Sequence, residues 1–207
     1  FYQQYYSANA MSLVVLGKEP VDELAQWVKQ KFAPVRNRHL PHYEITTPLF
    51  ANGTLPLRLD VAPVKEVRSL SISFPVGNPR AHLDSQPLHL IGDILGHEGE
   101  GSLYQYLQTK GWAESLSAGI GIEYNGGGLF GIKVALTEAG LKHVDDVADA
   151  IFYALTLLRE QGVAKSRFEE QQLINHLDFE YLEQVSAIRY VMDLSSRMKL
   201  YKPENIL

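Results

Sequence analysis

Leu88-His89-Leu90-Ile91-Gly92-Asp93-Ile94-Leu95-Gly96-His97-Glu98-Gly99-Glu100-Gly101-Ser102-Leu103, followed by Lys110-Gly111-Trp112 and the run Ser115-Leu116-Ser117-Ala118-Gly119-Ile120-Gly121-Ile122-Glu123-Tyr124, decides how this chain folds. Leu88, Ile91, Ile94 and Leu95 recur at helical spacing and predict a helix over 88–95. A glycine-rich break follows. Ser102-Leu103-Tyr104-Gln105 fits a capping box, in which the Ser hydroxyl and the Gln side chain satisfy orphan backbone N–H groups, so a short helix is expected over 102–110. Gly111 stands where a left-handed glycine stops such a helix. The strand expected over 115–124 carries Leu116, Ala118, Ile120, Ile122 and Tyr124 on one face. Its other face carries Ser117, Gly119, Gly121 and Glu123 and is nearly bare.

Glycine weakens a strand and marks a place where something approaches the backbone closely. Two readings follow. In one, a helix or bulge packs tightly there. In the other, the strand is a sheet edge offered to an extended peptide, which adds itself through main-chain hydrogen bonds.

Working outward, Asn125-Gly126-Gly127-Gly128 joins this strand to a second alternating run, 129–136, with Phe130, Ile132, Val134 and Leu136 on one face. That is a hairpin signal. Thr137 caps an expected helix over 138–161 whose stripe is Leu141, Val144, Val147, Ala148, Ile151, Leu155 and Leu158, with Gly162 as its stop. Ser166-Arg167-Phe168-Glu169 reads as a second capping box opening a helix or helix pair to about residue 197. Before the organising stretch, 11–16 and 55–64 read as strands. The run 67–75 is another, with Leu70, Ile72 and Phe74 sharing a face. A helix over 21–32 opens after Pro20. The polar connection 36–54 is long enough to be functional or wrapped over a surface. Strands in runs with helices gathered on one side give an α+β class with a largely antiparallel sheet.

Composition removes several functions. The 207 residues carry a net charge of −5, with 45% hydrophobic and 21% charged residues, so the chain is globular and lacks the basic footprint of a nucleic-acid binder. No apolar run is long enough to span a membrane as a helix. The absence of cysteine excludes disulfides and thiol chemistry and is compatible with an oxidising compartment. The chain begins at Phe1 with no signal-peptide pattern, and any targeting segment is expected to lie upstream.

The seven histidines form no H-E-x-x-H and no H-x-x-E-H. His39 and His42 straddle Pro41 in a loop and read as solvated rather than metal-binding. There is no G-x-S-x-G nucleophile elbow. Glu98 and Glu100 would repel a phosphate in the glycine-rich turn and suit a cation instead. A carboxylate on Glu98, beside helix-end carbonyls at Leu95 and Gly96, is a receptor for a positively charged peptide N-terminus.

The block Leu95-Gly96-His97-Glu98-Gly99-Glu100-Gly101-Ser102-Leu103, with Lys110-Gly111-Trp112 at fixed spacing, resembles the insulin-degrading enzyme and pitrilysin group of inverted-zincin metallopeptidases. The similarity continues through Leu136-Thr137-Glu138-Ala139-Gly140-Leu141 and begins at Tyr6-Ser7-Ala8-Asn9. The resemblance implies the fold of the processing-peptidase-like metallohydrolases. It also implies the second of the homologous domains of a peptide-hydrolysing enzyme, the one that follows the zinc-binding domain. On that basis residues 1–207 are one C-terminally truncated, non-catalytic domain lacking a final strand, with 1–10 a tail of the preceding domain or a linker.

The zinc and its activating glutamate are then expected in the parent, and none in this chain. Peptide substrates and sister domains are the expected partners. A periplasmic location is implied by resemblance to bacterial pitrilysins, with a cytoplasmic one as the alternative. Carried over residue by residue, the family's anchoring exosite falls on Gly96, Glu98, Leu116, Ala118 and Ile120, with His89 and His97 as neighbours. Ala118 and Ile120 stand where the human-type enzyme has glycine and glutamine; main-chain pairing survives that change, whereas side-chain contacts differ. Two other readings stay open: a scaffold domain of a processing-peptidase-like or cofactor-biosynthesis peptidase, and an independent protein-interaction module.

Overall fold

The hairpin expected from Asn125-Gly126 is the centre of a three-stranded antiparallel sheet. In the computed structural model, which describes residues 1–41 and 44–206, the elements run α1 (Tyr2–Tyr5), α2 (Val21–Phe32), β1 (Ser69–Val76), α3 (Pro87–Leu95), α4 (Leu103–Thr109), β2 (Ala113–Tyr124), β3 (Gly127–Leu136), α5 (Glu138–Leu141), α6 (Val144–Gln161), α7 (Lys165–Glu180) and α8 (Ala187–Arg197). Strand order is β1-β3-β2, so β3 is central and β2 lies at an edge. The chain forms two compact units, Glu44–Tyr181 and a second made of Phe1–Tyr43 with Leu182–Leu207.

The larger unit holds the whole sheet. Phe130, Ile132, Val134 and Leu136 of β3 are buried, as their alternation predicts. Register aligns Leu70, Ile72 and Phe74 of β1 and Leu116, Ala118 and Ile120 of β2 with them. Leu95 of α3, Leu107 of α4 and Val147 and Ile151 of α6 complete this core from the helical side. The reverse face carries Ser69, Ser71 and Ser73 beside Lys133 and Ser117, all exposed. One face apolar and one face polar is what a half-buried antiparallel sheet requires. The α+β reading therefore holds.

Local signals held where they rested on hydrogen bonds within one turn. Ser102 Oγ accepts from Gln105 N–H at 3.0 Å, and Gln105 Oε1 accepts in return from Gly101 N–H at 2.8 Å. Gly111, at φ +71°, closes α4 as a Schellman motif, with Trp112 N–H donating to Leu107 O at 2.9 Å and Gly111 N–H to Gln108 O at 2.8 Å. Thr137 Oγ1 caps Gly140 N–H at 2.9 Å. Gly140 is obligatory, because a Cβ there would lie 1.9 Å from Trp112 O. The connection before β1 wraps the hairpin end: Tyr124 Oη donates to Thr47 O at 2.7 Å, and a Cβ on Gly126 would meet Thr46 Cα at 2.9 Å.

Other expectations fail. The run 55–64 forms no strand; Leu57, Leu59 and Val61 are exposed, and Arg58 instead ties Asp60 to Asp145 of α6, at 3.3 and 2.9 Å. The Asp145 and Asp60 hydrogen bonds raise the guanidinium's pKa. In the smaller unit, 11–16 forms no strand and pairs with none among the described residues, and Met11, Leu13 and Val15 are exposed. A strand needs a ladder partner for its N–H and C=O groups, and alternation does not supply one. The helix expected over 138–161 is broken at Lys142-His143 into α5 and α6, which leaves Leu141 of the expected stripe exposed. The box at Ser166 does not cap: α7 begins at Lys165 after Ala164, with no side-chain cap. Ser186, which opens α8, does cap, accepting from Arg189 N–H at 3.4 Å.

Candidate functional site

Strand β2 is not the uniform two-faced strand its alternation predicts. Ile120 pairs with Phe130 and Ile122 with Leu129, so Gly121 is an extra residue and the strand bulges there. Residues opposite Phe130 and Leu129 face opposite sides of the sheet, so Ile122 and Tyr124 leave the face of Leu116, Ala118 and Ile120. Ile122 is 50% exposed as a result. A bulge of this kind ends regular pairing and re-aims side chains. A second irregularity at Glu114 bounds the strand at its start, leaving Ser115–Ile120 as the regular stretch.

Helix α3 lies directly on that stretch. A Cβ added at Gly92 would sit 3.1 Å from Ala118 O and 3.2 Å from Gly119 Cα, and one at Gly96 would sit 3.7 Å from Ala118 N. The spacing Gly92-x-x-x-Gly96 thus gives the helix a side-chain-free stripe against β2, a signal present in the sequence that periodicity of apolar residues does not capture. A Cβ at Gly119 would meet nothing within 4 Å, so no helix fills the bare face there; α3 lies against the backbone at Ala118 and Gly119, Gly121 is a bulge, and β2 is an edge strand, paired among the described residues with β3 alone.

The C-terminal end of α3 is open. Gly96 N–H donates to Gly92 O at 2.8 Å and His97 N–H to Ile94 O at 3.4 Å, and among the described residues no backbone N–H reaches the carbonyls of Asp93, Leu95 or Gly96. Unsatisfied carbonyls at a helix C-terminus carry the negative end of its dipole. Glu98 follows two residues on, exposed and without an ion pair among the described residues. The candidates therefore converge in part. Gly96 and Ala118 are in near contact, and Leu116 and Ile120 flank Ala118 on the same strand. Leu116 is buried in the core, so its side chain is not available to a ligand. His89 shares the Gly92–Gly96 stripe by spacing (i, i+3, i+7) and is exposed. His97 goes elsewhere. Its ring folds over Gly99, where a Cβ would be 2.4 Å from Nε2, and it lines a cavity of about 180 Å³ with Asp93 and with Arg167, Glu170 and Gln171 of α7.

Among the described residues no three His, Asp or Glu side chains come together in a way that could hold a metal ion. The pair His39 and His42 is not tested, because His42 lies outside the described residues. No helix among the described residues is long and apolar enough to cross a membrane.

The family model described as "Peptidase M16 inactive domain" matches residues 1–175, and the chain belongs to that family. Over its full length it is 35% identical to an insulin-degrading enzyme of Drosophila melanogaster and 35% identical to nardilysin of Rattus norvegicus, covering 21% and 18% of those proteins. A relative from Arabidopsis thaliana described as peroxisomal and insulin-degrading enzyme-like is 34% identical, again over the whole chain and 21% of that protein. The crystal structure of pitrilysin superposes with a TM-score of 0.86 at 30% identity, covering 100% of this chain and 22% of that one. The chain thus spans about a fifth of the length of the curated relatives it matches.

Proposed function

We propose that this domain anchors peptide substrates for a zinc metalloendopeptidase of which it is the non-catalytic part. The peptide's N-terminal ammonium docks against Glu98 and the open carbonyls of Leu95 and Gly96. Its first residues extend the sheet along Ser115–Ile120 of β2. Leu116, Ala118 and Ile120 contribute backbone, and His89 borders the strip. The observation that carries this reading is the meeting, at Gly96 and Ala118, of an acceptor-rich helix end with the edge strand of the sheet. By the same reading, hydrolysis belongs to a zinc-bound water held by a preceding domain, and sister domains enclose the substrate. A periplasmic location, implied by the family resemblance, is part of the proposal.

The test is binding of a peptide with a free N-terminus against its N-acetylated form, each to the native domain and to Glu98→Ala. A charge-assisted hydrogen bond is worth about 1.5–3 kcal/mol, so acetylation should weaken binding roughly tenfold to a hundredfold. Glu98→Ala should weaken the free peptide and leave the acetylated one unchanged. Equal affinity for the two peptides would refute the anchoring role and leave the scaffold reading.

A further inference from the structure

We infer that the cavity between α4 and α6, whose lining includes neither Glu98 nor any residue of Ser115–Ile120, is a receptor for an arginine side chain of a bound polypeptide. The cavity has a volume of about 500 Å³ and is walled by Tyr106, Trp112 and Tyr153 over a floor that includes Ala150 and Leu157. Asp146 and Asp149 also line it. They stand three residues apart on α6, which puts both carboxylates on one helical face. Their situations differ. Asp146 Oδ2 is 2.8 Å from His143 Nδ1, whereas Asp149 has no ion pair among the described residues. The cavity therefore combines aromatic faces with an uncommitted carboxylate.

That combination selects a cation that is flat on two sides and charged at its edge. Aromatic faces attract cations through the ring quadrupole, and arginine more often than lysine because its guanidinium also stacks. The rings already show this behaviour. Lys110 Nζ lies 5.7 Å from the Tyr106 centroid and 6.0 Å from that of Trp112. Trp112 is held in place by His143, stacked at 4.8 Å with 18° between the rings, and by the Schellman turn before it. A guanidinium in a cavity lined by these rings and by Asp149 would pair its N–H edge with the carboxylate, a charge-assisted pairing that a lysine ammonium makes with less geometric match.

The chain has two tryptophans, Trp27 and Trp112, so Trp27→Phe leaves one fluorophore, in the wall of the cavity. This variant of the 207-residue chain is titrated with acetyl-Gly-Arg-Gly-amide, with the same peptide carrying citrulline, and with butylguanidinium. Acetylation keeps the peptides off the anchoring strip. We expect a saturable change in Trp112 emission with the arginine peptide, and binding at least about tenfold weaker with citrulline, which keeps the shape and loses the charge. Asp149→Asn should lose a similar factor, while far-UV circular dichroism stays unchanged because the residue is exposed on a helix. Tyr106→Leu should weaken binding with both carboxylates intact. Equal response to arginine and citrulline, or unchanged binding in Asp149→Asn, overturns the assignment. So does binding of butylguanidinium without binding of the peptide.

Discussion

Strands β2 and β3 leave the same two-residue turn and have similar apolar alternation, yet only β3 behaves as its alternation says. β3 is paired on both sides, by β1 and β2, and its alternate residues from Phe130 to Leu136 are buried without interruption. β2 is paired on one side. It absorbs extra residues at Glu114 and Gly121, and Gly92 and Gly96 of α3 lie against its backbone at Ala118 and Gly119. The difference teaches that position in the sheet, more than pattern, fixes what a strand can do. A central strand is over-determined by two ladders and a core. An edge strand can bulge, thin out and keep one side of its backbone available.

Substitutions should separate the two strands by size of effect. Ile132→Ala, at a fully buried site in β3, should cost about 2–5 kcal/mol in chemical denaturation, by lost transfer energy plus a cavity. A value under about 1 kcal/mol would mean that β3 is not the centre of the core. Gly92→Ala places a Cβ 3.1 Å from Ala118 O, a backbone atom that cannot swing away. It should cost about 1–3 kcal/mol, through overpacking, and should also weaken any peptide that uses the β2 edge. A stabilising Gly92→Ala would show that the helix does not sit on the strand. Hydrogen exchange should find the β3 amides slow throughout. In β2, slow and fast amides should alternate, because among the described residues only one side of that strand has a ladder partner. Uniform protection along Ser115–Ile120 would reveal a further partner and break the comparison. Ser117→Ala, on the exposed polar face, should change stability by no more than about 0.5 kcal/mol.

What was legible beforehand follows the range of the interaction. The capping box at Ser102, the Schellman stop at Gly111, the Thr137 cap and the hairpin at Asn125-Gly126 each close within a few residues, and each was readable. The family was readable as well, because the block from Leu95 to Leu103 and the Gly-Trp pair preserve their spacing. The second capping box at Ser166 misled. Two residues of the right type at the right distance do not cap a helix that starts a residue before them.

The sequence names residues for a candidate site but not their arrangement in space. Gly96 and Ala118 meet, whereas His97, adjacent to Gly96 in sequence, turns toward α7. The cavity lined by Tyr106, Trp112, Tyr153, Asp146 and Asp149 draws on α4, α6 and the turn after α4, so no single stretch announces it.

Taken by itself, the sequence determined the caps at Ser102 and Thr137, the stop at Gly111, the central strand, the polar and apolar faces of the sheet, and membership of a peptidase family through a short motif. Those features depend on hydrogen bonds and periodicities contained within one segment. The tertiary structure alone decided that 11–16 and 55–64 do not pair as strands, that Gly121 turns Ile122 off its face, and that Gly92 and Gly96 bring a helix end onto the border of the sheet. Each of these depends on what a distant segment offers, since a backbone group or a bare glycine acquires its role only from the partner placed against it.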